Sequence, residues 1–426
     1  MPASGHLSEN FPHFRPRLVS GTVEFPVHHM RGGTSTGLIL WERLAPSELV
    51  LREELLRHLM GVPLDGRIPG HRQVTGLGRG SATSNKVFFA DVEAAPEGLR
   101  LVSTLAQLAA DHSGIDWSVN CGNMSSALPL WALDAGLIGG DAPTGGHISM
   151  EIRNTNTGVV TTARMKRAEE GGFVLEHIPG VDGAFPGVDL FLKDPVGAKT
   201  GALLPTGSAT DVIQGYEVSC VDVAVPMVIA SAADFGKTGH EPGQALEADP
   251  EFMTALRRVW VAAGLRMRLR RRDGSLMTED DLNRSETIPK ICIVSAPLDG
   301  GHLAVRYFTP QTAHPSMAVS GGCCLAAAAL IPGSVAQRLA RDIPVPSAQF
   351  SDIEVGIENP AGILKATVVG RAQGAAIEIR SAAYLRSAQI LLRGHVPLYR
   401  ASEQLRNSLL ACLTSLTPAS SPPGSA

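Results

Sequence analysis

NCGNMSSALPLWALDAGL, residues 120–137, and SGGCCLAAAALIPG, residues 320–333, decide the fold of this 426-residue chain. Each is a turn of small residues running into a segment with almost no polar face. A helix that is apolar all round has to be buried on every side. The two segments stand about 200 residues apart, and the chain around each reads as short strands and tight turns. The expected class is therefore α+β: two related halves, each wrapping a β-sheet around one central helix.

Outward from these helices, GTVEFPVHHM (21–30), NKVFFADVE (85–93), IPKICIVSAP (288–297), HLAVRYFT (302–309), IEVGIEN (353–359) and LKATVVG (364–370) read as strands. HISMEIRNTNTGVVTTARMK (147–166) reads as a hairpin turning at Asn154–Gly158. LAPSELVLREELLRHLMG (44–61) has the helical spacing and a glycine stop, and ALEADPEFMTALRRVWVAAGLRMRLRRR (245–272) is a long helix. EVSCVDVAVPMVIASAADFG (217–236) reads as one buried strand. AAIEIRSAAYLRSAQILLRG (375–394) reads as a strand closing in a helix, and GLRLVSTLAQLAADHSGI (98–115) as strand alone or strand then helix. Ser-, Pro- and Gly-rich ends predict disordered tails at 1–20 and 417–426, with domains at 21–205 and 206–416.

Composition narrows the function. The net charge of −4 provides no basic field for nucleic acid or anionic lipid. The six cysteines form no C-x-x-C pair, which argues against a disulfide framework or a zinc site and for a reducing compartment. The N-terminus lacks the apolar run of a signal peptide and no stretch is long enough to span a membrane, so a cytoplasmic protein is expected. Rossmann, P-loop, HExxH and GxSxG patterns are absent; no cofactor or metal is expected.

Candidate chemistry gathers at the helix openings, where free N–H groups favour anions. Cys121, just before the first opening between Asn120 and Asn123, is placed for a stabilised thiolate and for proton transfer; the alternative is a buried structural cysteine. Lys86 opens a strand after the turn-like GLGRGSATSN (76–85) and can serve as a base if desolvated, or be a solvated lysine. MRGGTSTG (30–37) offers backbone donors with the hydroxyls of Thr34 and Ser35. His314 precedes the second opening, and Cys323 and Cys324 lie inside it as packing.

Taken together and in order, MRGGTSTG, SATSNKVFF (81–89), SVNCGNMSSALPLWAL (118–133), GALLPTG (201–207), DVAVPMVIASAADFGKTGHE (222–241), IPKICIVSAP and the run from His314 through GGCCLAAAALIPG resemble the PrpF family, from about Val27 to Arg400. That resemblance implies a diaminopimelate-epimerase-like fold and isomerisation of an unsaturated tricarboxylate such as aconitate or 2-methylaconitate, or tautomerisation of 4-oxalomesaconate. It implies Lys86 and Cys121 as the proton-transferring pair, and a homodimer. Substrate contacts are expected from Arg31, Gly33, Thr34, Ser35 and Ser84 on the first strands. At the first helix opening they are expected from Asn120, Gly122, Asn123, Met124 and Ser125, and near the second from His314, Ser320, Gly321 and Gly322. Thr36 stands where the family's MRGGTSKG has lysine, and Asn85 where serine is usual before the lysine. ENPAG (358–362) and RSAQILLRG (386–394) also depart from the pattern. Two rivals remain: a two-thiol amino-acid epimerase, whose second cysteine would be sought near Val319 or Ser320, and a non-catalytic carboxylate binder.

Overall fold

The computed structural model describes residues 14–415 apart from 81–83, 97, 140–143, 193, 272, 310 and 375. The chain runs β1 (Arg17–Val19), β2 (Thr22–Gly32), β3 (Ser35–Trp41), α1 (Leu49–Met60), β4 (Lys86–Ala95), β5 (Gly98–Leu108), β6 (Ile115–Asp116), α2 (Gly122–Ser125), α3 (Ala127–Asp134), β7 (His147–Asn154), β8 (Val160–Lys166), β9 (Leu175–Glu176) and β10 (Phe185–Leu192). It continues through β11 (Asp211–Ile213), β12 (Tyr216–Val223), β13 (Val225–Ser231), α4 (Gly243–Glu247), α5 (Pro250–Arg266), α6 (Glu279–Arg284), β14 (Lys290–Ser295), β15 (Leu303–Thr309) and β16 (Thr312–Ala313). Last come α7 (Val319–Ala328), α8 (Val335–Leu339), β17 (Ser351–Asn359), β18 (Gly362–Gln373), β19 (Ala376–Pro397) and α9 (Glu403–Ser415). The class is α+β. No helix among the described residues is long and apolar enough to cross a membrane.

Two compact units emerge, 1–176 with 184–188 and 386–426, and 177–183 with 189–385. A single cut between 205 and 206 does not describe this division, because β19 changes partner along its length. Its first part pairs with β18 (Ala366↔Tyr384) and its last part with β2 (Arg31↔Gln389, Glu24↔Pro397). All of β19 is strand, with no closing helix. The helix formers of SAAYLRSAQILL follow the ladder because cross-strand pairing outweighs intrinsic propensity. Residues 217–236 likewise form two antiparallel strands, β12 and β13, turning at Ala224 in the left-handed region with φ +66°. The expected N-terminal tail is ordered from Phe14. β1 pairs with β2, Arg17 binds Glu24, and Phe14 is buried against the rings of His28 and His395. Residues 417–426 lie outside the described residues.

In the first unit β2–β3 is antiparallel, β3–β4 parallel, β4–β5 antiparallel, β5–β7 parallel and β7–β8 antiparallel. In the second, β12–β13, β13–β14, β14–β15, β15–β17 and β17–β18 repeat the same series. Each unit inserts helix after its second strand (α1 in the first, α4 to α6 in the second) and again after its fourth (α2 and α3, α7 and α8). The second unit's sheet is packed on both faces. Val221, Met227, Ile229, Cys292, Val305 and Tyr307 pack with α7, and Val228, Ala230, Ile291, Ile293 and Phe308 with α5. α5 starts cleanly, with Asp249 accepting from the N–H groups of Glu251 and Phe252 and Pro250 in the first turn. Every α7 residue from Gly321 to Ala328 is buried. Gly321 and Gly322 lie within this helix, where the Tyr307 and Tyr384 rings fill the space a Cβ would need, 2.5 and 2.3 Å away. They are close-packing glycines, not a turn.

Candidate active site

In the first unit the site is built on the hairpin between β2 and β3. Side chains alternate across a sheet, and residues in register share a face. A Cβ on Gly32 would fall 2.5 Å from the Asn123 carbonyl and 2.9 Å from the Met124 Cα, so even-numbered β2 positions face α2 and α3. Two residues earlier on that face, Met30 pairs with Gly37, and Gly37 with Lys86. The same face carries His28, whose ring accepts from Trp131 Nε1 on α3. The register therefore puts Lys86 on the central-helix side of the sheet. It is only 6% exposed, and it forms no ion pair with the described residues.

Cys121 is the N-cap of α2, and its Sγ accepts from the Met124 N–H at 3.5 Å. It is partly exposed and free of any disulfide. Asn120 holds the approach, its Oδ1 accepting from Cys121 N at 2.7 Å. Asn123 Nδ2 donates to Thr34 Oγ1 at 3.2 Å, tying α2 to the hairpin, while its Oδ1 is buried without a partner. Gly33 makes room for that carboxamide, 2.5 Å from where a Cβ would stand. Thr34, Gly122 and Asn120 are exposed, and Ser35, Gly33 and Ser125 are buried. Ser84 is half-buried, two residues before Lys86.

Two expected contacts sit differently. Met124 is wholly buried, so it offers the site only its backbone. Arg31, between Met30 and Gly32, turns to the opposite face. Its Nη1 donates to the carbonyls of Gly33 and Ser387, its plane lies 4.6 Å over the Phe185 ring, and burial lowers its pKa. Its Nη2 and the Oγ1 of its cross-strand neighbour Thr36 are both buried without a partner.

The remaining candidates belong to the second unit. Ser320 occupies the first turn of α7, whose N-cap is Ala318. His314 accepts from Ser316 N–H through Nδ1 at 3.0 Å and packs edge-on to Tyr307. Its pKa is lowered by burial and by the charge of Lys290, against the Ser316 hydrogen bond. Lys290 was not singled out by sequence reasoning. The signal that finds it is register: Val221, Met227 and Lys290 repeat the relation of Met30, Gly37 and Lys86. Burial lowers its pKa as well. Tyr307, 1% exposed, leaves its hydroxyl unpartnered. Cys323 and Cys324 are fully buried, and burial pushes the Cys324 thiol far up. The position matching Cys121 as helix cap is Ala318, so the second unit carries no thiol at its helix opening. Glu358, from the divergent ENPAG, is structural: it accepts from the N–H groups of Leu298, Asp299 and Gly301. No cluster of metal-ligating side chains occurs among the described residues.

The family described as PrpF protein matches residues 22–399. The chain is 34% identical to a 4-oxalomesaconate tautomerase of Pseudomonas putida, over 81% of this chain and 92% of that one. It is 31% identical to a (4E)-oxalomesaconate Delta-isomerase of a Novosphingobium species, over 89% and 99%. The crystal structure of a methylitaconate-delta-isomerase superposes with a TM-score of 0.72 at 25% identity, covering 95% of this chain and all of that one.

Proposed function

The chain belongs to the PrpF family and is an isomerase, and from that premise we propose that it moves a proton, and with it a double bond, along an unsaturated tricarboxylic acid. What supports this reading is a buried lysine, Lys86, with no ion pair among the described residues, on the sheet face that packs against α2 and α3, together with a cysteine, Cys121, at the cap of α2. One of the two removes a proton from the carbon next to the alkene. The C–H electrons form the new C=C bond, and the old C=C electrons pass onto the conjugated carbonyl, giving a dienolate. The other group then delivers a proton to the far carbon as the electrons return. Substrate and product differ only in where one hydrogen sits, so no electron acceptor is consumed. Fixed N–H donors near the developing charge contribute about 3 kcal/mol each in such sites. Thr34, Ser35 and the N–H groups of α2 are the donors proposed for the first unit. Ser320, His314 and the first turn of α7 are proposed as carboxylate contacts of the second.

Oxalomesaconate is proposed ahead of aconitate and 2-methylaconitate. The relatives at 34% and 31% identity act on it by name, whereas the 2-methyl-aconitate isomerase of Shewanella oneidensis is 24% identical. The two-thiol epimerase reading loses its second thiol to Ala318 and to the burial of Cys323 and Cys324. Proton NMR in D₂O, with oxalomesaconate, cis- and trans-aconitate, 2-methylaconitate and methylitaconate, tests the proposal. Deuterium entering a vinylic or allylic position together with a shifted alkene signal is the expected result. No exchange from any acid with folded protein would overturn it.

A further inference from the structure

Lys86 makes no ion pair with the described residues, so its position rests on the backbone that carries it. That backbone is held from an unexpected direction. Asn85 is fully buried, and Gln73 is 1% exposed. Asn85 Nδ2 donates to Gln73 Oε1 at 3.0 Å, and Gln73 Nε2 donates back to Asn85 Oδ1 at 3.1 Å. Gln73 Nε2 also donates to the carbonyl of Met60, the last residue of α1, at 3.0 Å. The oxygens are filled by the main chain of the following loop: Gly80 N donates to Gln73 Oε1 at 2.7 Å and Arg79 N to Asn85 Oδ1 at 3.2 Å. The loop is pressed onto the pair, for a Cβ on Gly78 would fall 2.0 Å from Gln73 Nε2 and 2.7 Å from Asn85 Oδ1. Gln73 is held at φ +54°, a left-handed conformation that a non-glycine residue keeps only when its surroundings impose it. On the other side the Asn85 carbonyl accepts from Leu108 N at 2.9 Å.

We propose that the reciprocal Gln73–Asn85 amide pair is a positioning clasp for Lys86, fixing the start of β4 between α1 and β5 so that the amine is presented at one place. Both are positioning residues. Asn85 alternates with Lys86 across the sheet, so its amide points away from the amine and acts through the main chain. The pair gives the Asn85 departure a reason: a carboxamide reaches both Gln73 and the Arg79 N–H at once. The inference rests on Lys86 carrying a proton in the reaction.

The test compares Asn85→Ala, the apolar replacement Gln73→Met with Asn85→Leu, and Lys86→Ala in steady-state kinetics, pH–rate profiles and urea melts. Removing one amide strands its buried partner, whereas replacing both removes that penalty and keeps the volume. Asn85→Ala is expected to lower kcat by about 10- to 100-fold with KM within about threefold, because a misplaced catalytic group costs rate more than binding. It is also expected to shift the limb of the profile that Lys86→Ala abolishes. The apolar pair should regain part of the urea midpoint lost in Asn85→Ala yet keep the low kcat, since it cannot accept from Arg79 and Gly80. An apolar pair with wild-type kcat and profile, or an Asn85→Ala that loses stability alone, would overturn the clasp. Wild-type kcat in Lys86→Ala would instead remove the base reading, and the clasp with it.

Discussion

Gly32→Ala is the substitution whose consequence the structure fixes most closely. A Cβ there would meet the Asn123 carbonyl oxygen at 2.5 Å, the Met124 Cα at 2.9 Å and the Met124 oxygen at 3.0 Å. Ordinary contact begins at 3.4 Å, so the shortest gap is wanting by roughly 0.9 Å. All three atoms are main chain, and no rotamer change relieves them. Gly32 cannot retreat either, because it is paired with Ser35 on one side and Ala388 on the other. The α2 turn has to move, and it carries Cys121 as its cap. Overpacking of this kind costs about 1–3 kcal/mol. A displacement near 1 Å of a reacting group costs about 10²-fold in rate. The expected result is a modest fall in urea midpoint, followed by the fluorescence of buried Trp131 in α3, with kcat down by about two orders of magnitude in an absorbance assay of the unsaturated acid. Gly66→Ala is the control: its φ of +63° strains an alanine, but nothing lies within 4 Å, so stability should fall slightly with kcat retained. A folded Gly32→Ala protein with wild-type kcat would refute the assignment of the α2 opening to catalysis.

Three further outcomes are expected. Cys121→Ala should lower kcat by roughly 10²–10⁴-fold while a substrate analogue binds as before by calorimetry, since a positioned acid–base group acts on the transition state. Lys290, at the register position equivalent to Lys86, is a candidate carboxylate contact of the second unit: Lys290→Met should raise KM by about 10-fold or more with kcat less affected, as loss of one charge-assisted contact would, and an unchanged KM would refute that role. His29 is buried, and burial with the charge of Arg79 holds its pKa down at about 4 against the usual 6.5. The folded protein keeps it neutral while the unfolded chain protonates, so its stabilisation is complete above pH 6.5 and is lost as pH falls through 4. Urea midpoints between pH 7 and 4 should therefore decline, and less steeply in His29→Leu.

The two central helices were legible because an all-apolar segment has only one place to go. α7 is buried from Gly321 onward, and α3 packs under β2 with Trp131 on His28. Lys86 and Cys121 were legible as chemical types at a strand start and a helix cap. What sequence could not show was pairing. Ala224 turns a hairpin without the glycine or asparagine that usually marks one, so β12 and β13 merge into one apolar run. β19 spans 22 residues with helix formers at its centre because β18 and then β2 supply a ladder from outside the segment. Arg31 reads as a ligand-facing cation beside two glycines, yet alternation from Gly32 sends it to the other face. Gln73 is silent for the same reason: its partner is 12 residues on, across a loop, and amides carry no local pattern.

The repeated strand order sharpens the functional reading, because what differs between the halves is chemistry placed on a common frame. Met30–Gly37–Lys86 and Val221–Met227–Lys290 are equivalent in register, so each unit opens its parallel-paired strand with a lysine. The residues before them differ: the amide-clasped Asn85 in one unit, Pro289 in the other. The helix caps differ too, Cys121 against Ala318. A frame used twice for two-thiol chemistry would need a thiol at both caps. Here one unit keeps thiol and clasped lysine together, and the other keeps a lysine with His314 and the donors of α7. That distribution speaks against two-thiol chemistry and leaves Cys121 and Lys86 of the first unit as the proposed proton carriers.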